Sequence, residues 1–213
     1  MNIFDLKKEL GLNTFSMDMI KNIVEKEYSQ PVQKINSMVK KGELLQLKKG
    51  IYAFSEEYRT TPLNIIATAN LLYKPSYVSF EYALSFHGLI PERVYTTTSA
   101  TLSRSNEFDT TLGKFSYTKI ALKAYPLGLE WKFNENDGGY MIASAEKALC
   151  DKVYSDKRSS NILKNEIESY LEDDLRIDFE DLRNLDSKLI WKISMAYSSR
   201  TLQAISAIIK KRN

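Results

Sequence analysis

Cysteine and histidine are almost missing from this chain: each occurs once, as Cys150 and His87. A single cysteine excludes an intrachain disulfide, and a thiol-reducing cytoplasm is the expected setting. One Cys and one His give no zinc-ligand spacing, so neither a metal nor a cofactor is expected. Glycine (8) and proline (5) are scarce among 213 residues, and no linker rich in either divides the chain. No apolar run reaches the roughly 18 residues that a membrane-spanning helix needs. The opening MNIFDLKKEL carries charge where a secretion signal has its apolar stretch, so a cytoplasmic location is expected. There is no Gly-x-x-x-x-Gly-Lys phosphate loop and no Gly-x-Ser-x-Gly elbow, which removes the usual sequence support for nucleotide hydrolysis and for serine hydrolase chemistry. Arginine is absent from residues 1–58, and acids are absent from 188–213.

What is present is enough apolar surface for a core, at 43% hydrophobic and 27% charged residues. The net charge of +3 decides little, but its distribution is uneven. Residues 29–54 hold five lysines (Lys34, Lys40, Lys41, Lys48, Lys49) against one acid, Glu43. Within them, VKKGELLQLKKGIYAF places two Lys-Lys pairs at two chain reversals, each next to a glycine. Residues 171–186 then carry seven acids against two arginines, directly before the acid-free end.

Hydrophobic periodicity predicts three helices and a hairpin at the start of the chain. Ile3, Leu6 and Leu10 mark the first helix, with Gly11 as its stop. Ser16 is a fitting N-cap for a second, with Met19, Ile20, Ile23 and Val24 inward. Pro31 opens a third, with Val32, Ile35, Met38 and Val39 as its apolar face and Gly42 as its end. Strands at 44–47 and 51–54 follow, joined by Lys48-Lys49-Gly50. This order predicts a winged helix-turn-helix over residues 1–58, in which the third helix enters the DNA major groove and the hairpin tip touches phosphates. Gln33, Lys34, Asn36 and Ser37 are then the base-edge candidates, and Lys40, Lys41, Lys48 and Lys49 the phosphate candidates. The alternative is the same fold used for protein contacts, with its lysines merely solvated.

From residue 59 a second α+β unit is expected to run to 213. Helices are predicted over 62–73, 80–87 and 145–154. Strands are predicted at 77–79, 94–101, 113–120, 129–133 and 139–143. A single amphipathic helix is predicted around 189–209. The whole is of the α+β class, with a helical C-terminus.

The stretches GELLQLKKGIYAF, KPSYVSFEYALSFHGLIPERVYTTTSA, FDTTLGKFSYTKI and GYMIASAEKALCDKVY together resemble the AbiEi family of antitoxins and related transcriptional regulators, across residues 16–155. The family has proline in its Ala-Ser-x-Glu-Lys segment where this chain has Ala145. The resemblance implies a winged helix-turn-helix joined to an antitoxin module that ends in helices. It implies a repressor of its own operon that binds double-stranded operator DNA. It also implies a type IV antitoxin that counteracts a neighbouring nucleotidyltransferase-like toxin, often in phage defence. The chain is not itself expected to be an enzyme.

Other residue patterns have local readings. His87 closes an apolar helix and reads as a structural hydrogen-bonding group. Lys147 and Asp151, four apart, predict an ion pair on a helix surface, with Glu146 at the helix start and Cys150 in the core. Asp109 with Glu130 and Lys132 has the residue types of a Mg²⁺-dependent nuclease, the enzyme alternative. Lys188, Lys192, Arg200, Lys210, Lys211 and Arg212 form a basic C-terminal segment that is open to three readings: solvated, facing a partner, or extending a DNA footprint.

Overall fold

The computed structural model describes residues 1–212, apart from the side chains of Ser160, Asn161 and Arg212. Helix α1 (Ile3–Leu10) starts on a reciprocal capping pair between Asn2 and Asp5 and ends at Gly11, whose φ of 64° is left-handed. Strand β1 (Thr14–Ser16) follows, too short to leave a sequence signal. Ser16 caps α2 (Met17–Val24) by accepting from the Met19 amide. Pro31 opens α3 (Pro31–Lys40), and β2 (Leu44–Lys48) and β3 (Ile51–Phe54) complete an antiparallel sheet of order β1-β3-β2. Ile3, Leu6, Phe15, Ile20, Val24, Ile35, Met38, Leu44, Tyr52 and Phe54 close one core between these helices and one sheet face. Val32 departs from expectation: at the first turn of α3 it is 45% exposed rather than inward.

The rest of the chain is built on a mixed six-stranded sheet of order β6-β7-β5-β4-β9-β8. Helix α4 (Ile65–Leu72) leads to β4 (Ser76–Val78), α5 (Phe80–Phe86) and β5 (Thr97–Thr101). Strand β6 (Asn106–Thr110) is one that periodicity does not predict, since NEFDT lacks an apolar alternation. Strands β7 (Gly113–Lys119), β8 (Leu129–Asn134) and β9 (Gly138–Ala143) complete the sheet. Helix α6 (Ala145–Ser155) is capped by Ser144. The short α7 (Ile167–Ser169) runs into a wide turn over Tyr170–Asp174, and α8 (Phe179–Arg183) follows. The expected single terminal helix is two, α9 (Ser187–Tyr197) and α10 (Arg200–Arg212). The break is at Ser198, in left-handed conformation at φ 55°.

The two cores meet across the N-terminal sheet. The strand period of two sends alternate residues of β3 to opposite sides. Tyr52 and Phe54 enter the N-terminal core, while Ala53, with Leu47 of β2, enters the core of the second unit. Hydrogen bonds tie the seam: the Asn13 amide donates to the Asn136 carbonyl (2.7 Å), and the Thr14 and Thr68 hydroxyls are 3.4 Å apart. The two units expected on either side of residue 58 therefore hold two cores that share one docked sheet.

Gly128 leads into β8 at φ +67°, and a Cβ built there lies 2.8 Å from the buried Lys147 Cβ. Gly128→Ala combines left-handed strain of about 1 kcal/mol with overpacking of about 1–3 kcal/mol. Urea unfolding is expected to show a loss of about 2–4 kcal/mol.

Candidate nucleic-acid interface

On α3, Gln33, Asn36, Ser37 and Lys40 are exposed, and Lys41 is exposed at the helix C-cap. Ile35 and Met38, buried on the opposite side, set this orientation. No acid lies on α3, so the exposed face is uncharged or positive. Lys34 is half-buried, its ammonium 4.7 Å from the centre of the Tyr28 ring. Tyr28 also meets the N-terminal amine, which pairs with Glu27 at 2.5 Å. Val32 joins the exposed face beside Gln33 and Asn36. Positions 32, 35 and 39 share a helical stripe, which predicts an inward Val32, but at the first turn of α3 it is exposed.

The hairpin divides its two lysines. Lys49 is exposed at the tip, next to Gly50 at φ +83°. The Gly50 carbonyl accepts from the Met17 amide at 2.7 Å, which fixes the tip beside the start of α2. Lys48 corrects the expectation. Its ammonium donates to the Leu72 carbonyl (3.0 Å) and lies 4.1 Å from the Phe108 ring centre and 5.4 Å from that of Tyr73. Leu72 ends α4, and a cation on a C-terminal helix carbonyl is favoured by hydrogen bonding and by the helix dipole. Burial there lowers the Lys48 pKa. Lys48 is a docking residue between the two units, and Lys49 is exposed at the hairpin tip.

In the C-terminal segment, Lys188, Lys192, Arg200, Lys210 and Lys211 are all exposed. The Arg212 side chain lies outside the described residues. Lys188 and Lys210 line one groove between α9 and α10, of about 490 Å³, with Trp191, Ser187, Ser206 and Ala207. Arg200 starts α10 and stands roughly 15 Å along the helix from Lys210. Arg200 is thus set apart from the two groove lysines.

The enzyme alternative loses its geometry. Asp109 is on edge strand β6 and Glu130 and Lys132 on the opposite edge strand β8. Five inter-strand steps separate them by roughly 24 Å, too far to share one metal ion. Lys132 pairs with Glu130 at 3.1 Å, and Lys114 lies 4.0 Å from Asp109. His87 Nε2 is 2.8 Å from the Ala143 carbonyl, so that nitrogen carries the proton and donates; the ring tethers α5 to the end of β9.

Lys147 and Asp151 are paired as their spacing predicts, but not on a surface: both side chains are fully buried, 2.7 Å apart. Tyr77 and Ser79, two residues apart on and just after β4, both donate to Asp151 Oδ2 at 2.8 and 2.7 Å. Tyr197 of α9 donates to Oδ1 at 2.5 Å. Lys147 also donates to the Ala124 carbonyl at 2.8 Å. Burial first, and then the Asp151 charge, pushes the Tyr77 and Tyr197 phenols far above their ordinary range, so both remain donors. Cys150 is buried beside them, its thiol pushed up by desolvation.

No protein-family model and no curated protein matches the chain.

Asp151→Ala leaves a buried ammonium unpaired and is expected to cost about 3–5 kcal/mol of stability by chemical denaturation. The double change Lys147→Met, Asp151→Leu removes both charges and is expected to cost less than the single one. Equal or larger loss in the double variant would show that the individual hydrogen bonds, rather than the stranded charge, set the penalty. Native Cys150 is expected to resist a thiol reagent such as Ellman's and to react once the protein is unfolded.

Proposed function

We propose that the chain is a DNA-binding transcriptional repressor whose N-terminal unit acts as a winged helix-turn-helix on double-stranded operator DNA. The observation that carries this reading is the acid-free outer face of α3. Exposed Gln33, Asn36 and Ser37 supply groups that hydrogen-bond base edges, and Lys40 and Lys41 follow at the helix end. The element order supports it: three helices, a short strand before the second, and a two-stranded hairpin closing the sheet β1-β3-β2. In this reading α3 is the recognition helix, and Lys49 touches phosphate from the hairpin tip. Lys34 is a secondary contact, because its ammonium already lies over the Tyr28 ring.

The resemblance to AbiEi antitoxins extends the proposal. The chain represses its own operon and counteracts a nucleotidyltransferase-like toxin encoded beside it, with the second unit as the antitoxin module. The test of this part is growth rescue on co-expression with the neighbouring gene product. Rescue by the full chain supports the antitoxin role, and continued toxicity removes it while leaving DNA binding intact.

DNA binding is tested by fluorescence anisotropy on the DNA upstream of the gene against a scrambled duplex, over a salt series. Three free lysines (Lys40, Lys41, Lys49) predict a slope of about −3 in log K against log salt per bound chain. Lys49→Ala is expected to make that slope shallower by about 0.9, and Lys48→Ala to leave it unchanged. Asn36→Ala is expected to reduce discrimination between the two duplexes by about 1–3 kcal/mol. Equal affinity for both duplexes, or binding to neither, removes the repressor reading.

A further inference from the structure

The sheet of the second unit ends in an edge strand whose sequence matches itself. Among the described residues, strand β8 pairs only with β9, in antiparallel register from Leu129↔Ala143 to Asn134↔Gly138. The Ser144 amide donates to the Gly128 carbonyl at 2.8 Å. Residue pair 128–144 is therefore a hydrogen-bonded one, and the pairs at Glu130, Lys132 and Asn134 follow it by alternation. The Met141 amide, out of phase, points away from β8 and finds Asn70 Oδ1 at 2.6 Å. Leu129, Trp131 and Phe133 consequently turn their N–H and C=O groups toward the free edge.

Side chains on this edge are ordered rather than shielded. Trp131 is 65% and Phe133 61% exposed, and their rings stack at 6.0 Å with 26° between planes. The Trp131 indole lies against Gly139 of β9, where an added Cβ would meet it at 2.7 to 2.9 Å. Glycine at that position gives the indole its seat. The opposite face of the strand carries Glu130 and Lys132, already 3.1 Å from each other. No proline or bulge interrupts the six residues. The usual protections of an edge are missing apart from one lysine, and that lysine has an acid two residues away.

The geometry points to β8 as a homodimerisation strand that pairs antiparallel with β8 of a second copy about a two-fold axis at Trp131. In that register each Trp131 faces the other. Leu129 of one copy faces Phe133 of the second, and Glu130 faces Lys132. The run Leu-Glu-Trp-Lys-Phe is a palindrome of chemistry: apolar with apolar on one face, acid with base on the other. Residues directly opposite each other in an antiparallel pair share a face, so both sets of contacts form at once. The outward-turned N–H and C=O groups of Leu129, Trp131 and Phe133 then pair with those of the second copy, and one sheet continues across both chains. A two-fold axis requires such self-complementarity. This assignment does not depend on DNA binding.

The test is solution mass by light scattering and sedimentation, without DNA, over a wide concentration range. The wild-type chain is expected to approach twice its 24.5 kDa as concentration rises. Lys132→Glu sets acid against acid and is expected to remain a single chain, and Glu130→Lys sets base against base with the same result. Mixed in equal amounts, the two variants are expected to associate with each other, because every opposed pair is again acid with base. Hydrogen exchange at the Trp131 and Phe133 amides gives a second readout, slow in the dimer and fast in either variant alone. A wild-type chain that stays at 24.5 kDa throughout, or a dimer that survives both charge reversals, overturns the assignment.

Discussion

An ammonium and a carboxylate sit 2.7 Å apart in the middle of the second unit, with neither exposed. Desolvating such a pair costs several kcal/mol per ion, and the mutual attraction offsets this only where the remaining hydrogen-bonding capacity is also used. Here it is used. Asp151 accepts from two tyrosines, a serine and the lysine, and Lys147 has a backbone carbonyl besides. The partners come from β4, α6, α9 and the loop before β8, so four segments distant in sequence are fixed relative to one another. Both charges ride on α6, so a shift of β4, α9 or the loop leaves the buried pair short of a hydrogen-bond partner, a penalty that apolar packing does not carry. The positions of both candidate interfaces in space follow from it. β8 leaves the loop that holds Lys147, and α4, on which the N-terminal sheet docks, packs against β4 and β9.

The N-terminal sheet is the second constraint. A small three-stranded sheet under three helices ordinarily has one wet face. This one sends Leu47 and Ala53 into a neighbouring core instead. The exposed face of α3 therefore points where the second unit lets it point. Lys48 completes the docking by satisfying the carbonyl at the end of α4.

Much of this was legible in the residues. Helices α1, α2, α3 and α6 follow from apolar spacing and from Ser16, Pro31 and Ser144 at their starts, because capping and periodicity are local physics. The elements missed were those whose stability comes from elsewhere. β1 is three residues long and exists only because β3 lies beside it. β6 is polar, and is a strand because β7 offers it a ladder. The division of α9 from α10 turns on a left-handed Ser198, where a glycine would have announced it. Two lysines differ from their sequence expectation for the same reason. Lys147 and Lys48 carry the charge of surface residues, and only groups far along the chain, such as Tyr197 and Leu72, take them inside or against a neighbour. Exposed Val32 is the converse, an apolar residue in the right period with nothing to cover it. The charge symmetry of Leu129–Phe133 is present in the sequence, but which backbone groups face outward is settled only by the β8–β9 register.

The contact between Lys48 and the end of α4 has a thermodynamic consequence. Hairpin and second unit share an ammonium, so the energy of the hairpin depends on the state of a surface it does not belong to. By linkage, a ligand of either unit that bound more tightly with the hairpin docked than with it released would hold this contact closed, and the contact would raise that ligand's affinity by the same factor.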